Sequence, residues 1–148
     1  MQNELCSTVK KRLKPHITRA ELVDLMKWKL LRGKWRPRLV QFAESNSPDL
    51  VEDVSRKAVV LAEQDEIEEA IQKLCCMKGV GPATASAILS ACIPEKCAFF
   101  ADEVAQVFLE GKLNYTLKEY SSFHDQIVIL SDSLNKEAGF ELKLFSVY

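Results

Sequence analysis

Residues 74–89, LCCMKGVGPATASAIL, set two glycines and a proline between apolar stretches of helical spacing. No other stretch restricts the chain so tightly. Gly79 and Gly81 permit positive φ and close backbone approach, and Pro82 suits the first turn of a helix, where its missing N–H is no loss. A hairpin of this kind aims unpaired N–H groups and a positive helix end at one point, where an anion fits. Small side chains at Ala83, Ala85, Ser86 and Ala87 let two helices lie close together, with Val80 expected to plug the hairpin into the core.

The flanking sequence reads as helix throughout. Thr18 with Glu21 fits a capping box opening a helix through Leu22, Leu25, Met26 and Leu30 to a stop at Gly33. Pro37 starts a short helix carrying Leu39, Val40 and Phe42. Ser47 caps another, with Pro48 at its first position and Leu50, Val51, Val54, Ala58 and Leu61 on one face. The spacing of Ile67, Ala70, Ile71 and Leu74 predicts a helix over 65–77, and a further one runs from Pro82 to about Cys92. After a loop through Ile93, Pro94 and Glu95, Phe99 and Phe100 must be buried. Asp102 is then placed to cap a helix whose Val104, Val107, Phe108 and Leu109 face inward as far as Gly111. Thr116 and Glu119 form a second capping box, opening a long helix to about Asn135. The tail FELKLFSVY follows no clear period.

At 148 residues, with 47% hydrophobic and 28% charged residues, the chain has the size and composition of one globular domain. The reading is a single all-α domain over 1–148, an orthogonal array of about seven or eight helices, with residues 1–16 as a basic N-terminal arm or helix. The first thirty residues lack an apolar run of signal-peptide length, and no stretch approaches the ~20 apolar residues of a membrane span. Five cysteines (Cys6, Cys75, Cys76, Cys92, Cys97) are an odd set without paired Cys-x-x-Cys spacing. They suggest free thiols in an intracellular compartment, the nucleus if the source is eukaryotic, and neither a metal nor another cofactor is expected.

The net charge of −1 conceals an asymmetry. Residues 1–38 hold eleven Lys or Arg against three acids, +8, and residues 39–148 hold nine against eighteen, −9. Between Lys27 and Arg38 lie six basic residues (Lys27, Lys29, Arg32, Lys34, Arg36, Arg38), no acids, and the tryptophans Trp28 and Trp35. Bases in this density neutralise phosphates, and an exposed indole stacks on an unpaired base. Core tryptophans and a solvated helix end account for the segment equally well. KKRLK at 10–14 reads as a solvated arm or a localisation signal. His16 and His124 read as surface or capped residues rather than ligands, Cys75 and Cys76 as packing, and Tyr115 and Tyr120 as core rather than pocket walls.

The segment 66–110 resembles the helix-hairpin-helix DNA glycosylase superfamily, whose members include endonuclease III and the adenine and 8-oxoguanine glycosylases. In that superfamily the hairpin leads into a helix, a loop and an essential aspartate at the next helix start, and here Asp102 stands twenty-three residues after Gly79 in FFADEVAQVFL. The resemblance implies DNA as partner, held mainly by its phosphate backbone through Gly79, Val80, Gly81, Ala83 and Thr84. It also implies Asp102 as the carboxylate of a monofunctional N-glycosidic hydrolase. Two departures limit it. Ala83 stands where bifunctional members carry a lysine nucleophile, so strand cleavage through a Schiff base is not expected. No cysteine lies beyond Cys97, so no iron–sulfur cluster is expected either. Whether Asp102 is a catalyst or a plain helix cap stays open at this point. The alternative function is an inactive glycosylase-like domain serving as a protein-interaction scaffold, with the acidic stretch Glu63–Glu69 as partner surface; an active site completed by a protein partner is a further reading.

Overall fold

The computed structural model describes residues 2–139, so the tail FELKLFSVY lies outside the described residues. Among these the chain is all-helical, with no strand and eight helices. They are α1 (Gln2–Lys10), α2 (Arg19–Arg32), α3 (Pro37–Glu44), α4 (Pro48–Glu63), α5 (Ile67–Leu74), α6 (Pro82–Cys92), α7 (Asp102–Phe108) and α8 (Leu117–Ala138). None is long and apolar enough to cross a membrane.

Local chemistry sets most of the boundaries. Thr18 and Glu21 exchange both bonds of a capping box at the start of α2, and Thr116 and Glu119 do the same at α8. Ser47 accepts from the Leu50 amide with Pro48 in the first position of α4. Each such cap contributes about 1 kcal/mol. Pro37 opens α3, and Gly33 ends α2.

Three expectations are corrected. α5 covers less than 65–77, because Asp65 adopts a left-handed φ of 65° and closes α4: its amide donates to Ala62 O and that of Glu66 to Leu61 O. The chain must turn there before a new helix begins, and Cys76 and Met77 end α5 in short-range turn bonds, with Cys76 exposed rather than packed. Leu50 and Val107 point to solvent, at 42% and 77% exposure. The inward face of α4 is filled by Val51, Val54 and Ala58, and two-turn α7 presents Val104, Ala105 and Phe108 instead. Third, Ala101 and not Asp102 is the N-cap of α7.

The core is organised around α6. Every residue from Ala83 to Cys92 is buried, and the helix touches α1, α2, α4, α5 and α8. A helix apolar on all sides belongs at the centre of a domain, and its run of alanines and serines lets five neighbours approach. Leu5 and Val9 of α1 are buried in this core, so the start of the chain is a docked helix. KKRLK is not wholly a free arm: Arg12 makes a two-pronged pair with Glu21 at 2.6 and 2.9 Å and donates to the His16 carbonyl. Leu13 beside it is fully exposed. Phe99 and Phe100 are buried, as they had to be, Phe100 lying 5.2 Å from the Phe123 ring and 5.8 Å from Tyr120.

Candidate functional site

The two glycines between α5 and α6 do different work. Gly79 has φ 81°, and a Cβ there would sit 2.8 Å from Phe42 Cβ and 3.2 Å from Leu39 O. Its missing side chain is what lets α3 lie against the turn. Buried Asn46 fixes the same junction, accepting from the Lys78 amide at 2.9 Å and donating to the Lys78 carbonyl at 3.0 Å while also bonding the last carbonyls of α3. Gly81 has φ −105° and ψ −178°, extended backbone open to any residue, so the expectation of positive φ there is corrected. A Cβ at Gly81 would meet nothing within 4 Å. The fold does not require this glycine, yet the space in front of it stays open.

Val80 leaves the phosphate-binding set. Its side chain is buried, as expected, but its amide donates to Met77 O at 3.3 Å. At the start of α6 no side chain caps the helix and Pro82 has no N–H. The Ala83 and Thr84 amides, in the first turn, have no acceptor within the helix.

The loop that delivers Asp102 hangs from α6 and α8. Ser86 Oγ, fully buried, donates to Ala83 O at 2.8 Å and accepts from the Phe100 amide at 2.9 Å. Tyr120 donates to Ala98 O, and His124 Nε2 lies 2.8 Å from Lys96 O, which places its proton on Nε2. His124 is thus a buried structural donor rather than a surface residue. Asp102 emerges as the first residue of α7, exposed, with no side-chain capping bond at that helix start. The Asp102 carboxylate is therefore not used to cap α7.

These pieces line one cavity of about 290 Å³, near the lower end of the range for small-molecule sites. Gly79, Gly81, Ala83 and Thr84 are part of its lining, and so are Asp102 and Tyr115. Lys29, Arg32, Lys34 and Arg36 bring positive charge to it, whereas Lys27, Arg38 and Trp35 do not line it. Trp28 does, but as wall: half-buried, its ring centroid lies 5.9 Å from that of Phe99, and the Arg32 guanidinium sits 5.1 Å from its centroid. Trp35 remains 55% exposed. The acidic residues Asp65, Glu68 and Glu69 line a separate groove.

Sequence reasoning missed Tyr115 as a pocket residue. It holds a left-handed φ of 57°, a conformation worth about 1–2 kcal/mol of strain for a side chain of this size. The Glu119 carboxylate keeps it there by accepting from the amides on either side, Asn114 at 3.0 Å and Thr116 at 3.1 Å. The ring packs edge-on against Phe100 at 6.1 Å. Burial raises the phenol pKa, and hydrogen bonding to Asp102 and its charge raise it further. The capping box was visible in the sequence; its consequence for the residue in front of it was not. Lys29 was read as a phosphate contact or as part of a solvated helix end. Half-buried, it has its ammonium pKa lowered by burial, with the Asp102 charge opposing and Arg36 adding to the decrease.

Among the described residues no group of His, Cys, Asp or Glu is arranged to hold a metal ion. Burial pushes the Cys75 and Cys97 thiols up to about 11 and about 12, as suits cysteines that pack. No protein-family model, curated protein or solved structure matches the chain.

Proposed function

We propose that the chain is a DNA-binding protein in which α5, the Gly-Val-Gly turn and α6 act as a helix-hairpin-helix within an orthogonal helical array. The free amides of Ala83 and Thr84, with Arg32, Lys34 and Arg36, hold phosphates, and Asp102 faces the nucleotide. The single observation that carries this reading is that one cavity is lined by both an uncapped helix start and a carboxylate not used for capping, with four basic residues around them. The contacts on this reading are to backbone phosphates and so largely independent of sequence.

The chemistry that fits is hydrolysis of an N-glycosidic bond. As the base departs, positive charge develops on the sugar, and the Asp102 carboxylate stabilises it or activates a water. Cations around the mouth draw the phosphates that flank the reacting sugar.

The test is binding to labelled duplexes, undamaged and carrying an abasic-site analogue, over a salt series. With roughly three phosphates neutralised, log K against log salt should fall with slope near −3. Gly81→Val should weaken binding by about tenfold or more, as expected when one or two charge-assisted backbone bonds of about 1.5 kcal/mol are obstructed. Asp102→Asn should keep binding and lose base release. No binding to either duplex at low salt would overturn the DNA reading and leave the protein-interaction scaffold.

A further inference from the structure

A second cavity, of about 940 Å³, lies between α5 and α8 and takes no part in the function proposed above. Its lining runs along α8 from Tyr120 to Asn135, fifteen steps of about 1.5 Å, so the groove is about 22 Å long and can seat more than one side chain. Ile67, Val128 and Ile129 give it an apolar strip, with Ile129 66% exposed. Around that strip stand Glu68, Glu69, Glu95, Asp125 and Asp132. The lysine of the groove, Lys96, is held by Asp65 at 2.7 Å and by the Glu63 carbonyl at 2.9 Å. Among the described residues no cation pairs with the other five carboxylates, and no group is arranged to hold a metal ion. His124 points to an occupant independently. It lines the groove at 9% exposure and donates from Nε2 to Lys96 O; its Nδ1 is then an acceptor without a partner among the described residues, and it is not sealed in the core. This chemistry selects an occupant that is cationic, rich in N–H donors and partly apolar, and it repels phosphates.

The chain itself carries a segment of that chemistry. Between Lys27 and Arg38 lie six bases and no acid. Lys27, Leu31, Trp35 and Arg38 stay outside the cavity at the start of α6, and the phosphate contacts proposed above do not use them. All four are exposed, Leu31 at 78% and Trp35 at 55%. Two large apolar side chains left in water among cations mark a surface that another surface covers. Within one molecule the segment and the groove lie on different packing partners: α2 packs on α3, α4 and α6, whereas α8 packs on α5, α6 and α7.

We propose that the α5–α8 groove receives the Lys27–Arg38 segment of a second copy of this chain. Trp35 seats on the strip of Ile67, Val128 and Ile129, Lys27 and Arg38 meet the carboxylates, and an indole or guanidinium N–H supplies His124 Nδ1. The inference stands apart from the DNA reading, because it uses residues that reading leaves idle. Each molecule carries one basic segment and one acidic groove on different elements, so the contact is head to tail and can repeat. One segment in one groove belongs to the weak, transient class of interfaces, below ~1,200 Å² of buried surface. Its attraction acts between exposed charges and therefore falls with salt.

The experiment is sedimentation equilibrium of the full chain over a concentration series, at about 0.02 M and about 0.5 M salt, between which the screening length shrinks roughly fivefold. The expected result is an average mass that rises above one chain with concentration at low salt and returns toward one chain at high salt. Two variants separate the two faces. Asp125→Asn with Ile129→Ser and Asp132→Asn removes the anchors of the groove, and Lys27→Gln with Trp35→Ser and Arg38→Gln removes those of the segment. Every changed side chain is exposed, so both variants are expected to fold, with helical circular dichroism as the check. Each alone should self-associate about tenfold more weakly or worse, as expected for the loss of one seated apolar side chain. Mixed in equal amounts they should form a complex of two chains and no larger, because one intact segment and one intact groove remain. A wild-type chain that stays monomeric at low salt overturns the inference, as does a mixture that stays monomeric or association that survives in either variant alone. A labelled peptide of residues 27–38 that binds a monomeric wild-type chain, and not the groove variant, also overturns the second copy as occupant and assigns the groove to a basic segment of another protein.

Discussion

Replacing each glycine of the turn separately distinguishes architecture from function. At Gly79, alanine meets two penalties. The backbone has φ 81°, and holding a Cβ in the left-handed region costs about 1–2 kcal/mol. The same Cβ would stand 2.8 Å from Phe42 Cβ, against an optimum of about 3.5–4.0 Å for carbon contacts, and 3.2 Å from the Leu39 carbonyl oxygen. Neither neighbour is the free end of a flexible side chain: one is anchored to the α3 backbone and the other belongs to it. Relief requires α3 to move, and overpacking of that kind costs about 1–3 kcal/mol. Together the loss is about 2–5 kcal/mol.

In urea, with a slope of roughly 2 kcal/mol per molar, Gly79→Ala should lower the unfolding midpoint by about 1–2.5 M. Gly81→Ala is the internal control. Its φ of −105° is ordinary and the added methyl enters open space. A weaker helix cap and a less flexible unfolded chain offset one another at about 0.5–1 kcal/mol each. Its midpoint should stay near wild type. Equal midpoints for both alanine variants would refute the packing argument and with it the separation of the two glycines' roles.

Ser86→Ala leaves the buried Phe100 amide without its acceptor, and a loss of about 1–3 kcal/mol in the same urea titration is expected; an unchanged midpoint would show that the Asp102 loop does not hang from α6. Burial pushes the Glu21 carboxyl up, but its bonds from Arg12 and Thr18 prevail and hold it below the usual carboxylate range. Its contribution is therefore complete above that range and lost as pH falls through the folded value, so the difference in Tm between wild type and Glu21→Gln should shrink from about pH 7 to about pH 2.5; a constant difference would refute it. For Tyr115, whose neutral phenol is favoured by burial and by Asp102, the contribution is full below the ordinary phenol range and lost as pH rises through the raised value. Asp102→Asn should move the Tyr115 titration, isolated as the difference from Tyr115→Phe by phenolate absorbance, back toward lower pH, and no movement would place the two groups out of contact.

The parts of the fold that sequence exposes are those encoded locally. Thr18 with Glu21, Ser47 with Pro48, and Thr116 with Glu119 are short-range devices, and each helix begins where they stand. The burial of Phe99 and Phe100 followed from their size alone. What escaped depends on contacts distant in sequence. Asn46 meets Lys78 across 32 residues, and nothing near Asn46 announces that it clamps the turn. Gly79 looked like a residue kept small for a ligand, and it is kept small for α3. Asp102 looked like a cap because acids favour helix starts, whereas the preceding extended residue, Ala101, takes that position. The basic segment was recognised as a unit, but its division into cavity-lining and outward residues depends on Gly33 ending α2 partway through it, which sends Lys29 and Lys34 from different backbones.

The relation between the two halves of the site follows from α6. Its first turn carries the amides of Ala83 and Thr84, and one turn further on Ser86 binds the loop that ends in Asp102. A single buried helix therefore fixes both its own uncapped start and the carboxylate, and neither can shift far without disturbing a core that is filled on every side. α2 adds the third component, Lys29, and the Trp28–Phe99 contact ties α2 to the same loop. Geometry held in this way is set by the core itself, which is what the proposed function requires of a phosphate site and a carboxylate that must act on one nucleotide. It also separates two kinds of damage. Gly81→Val obstructs the amides and leaves the loop in place, while Ser86→Ala loosens the loop and leaves the amides in place. On the proposed function the first variant should lose affinity with the Asp102-dependent step preserved at saturating DNA, and the second should lose that step with affinity preserved. If both variants lost the same property, α6 would be acting as core alone, and the cavity at its end would be a by-product of packing.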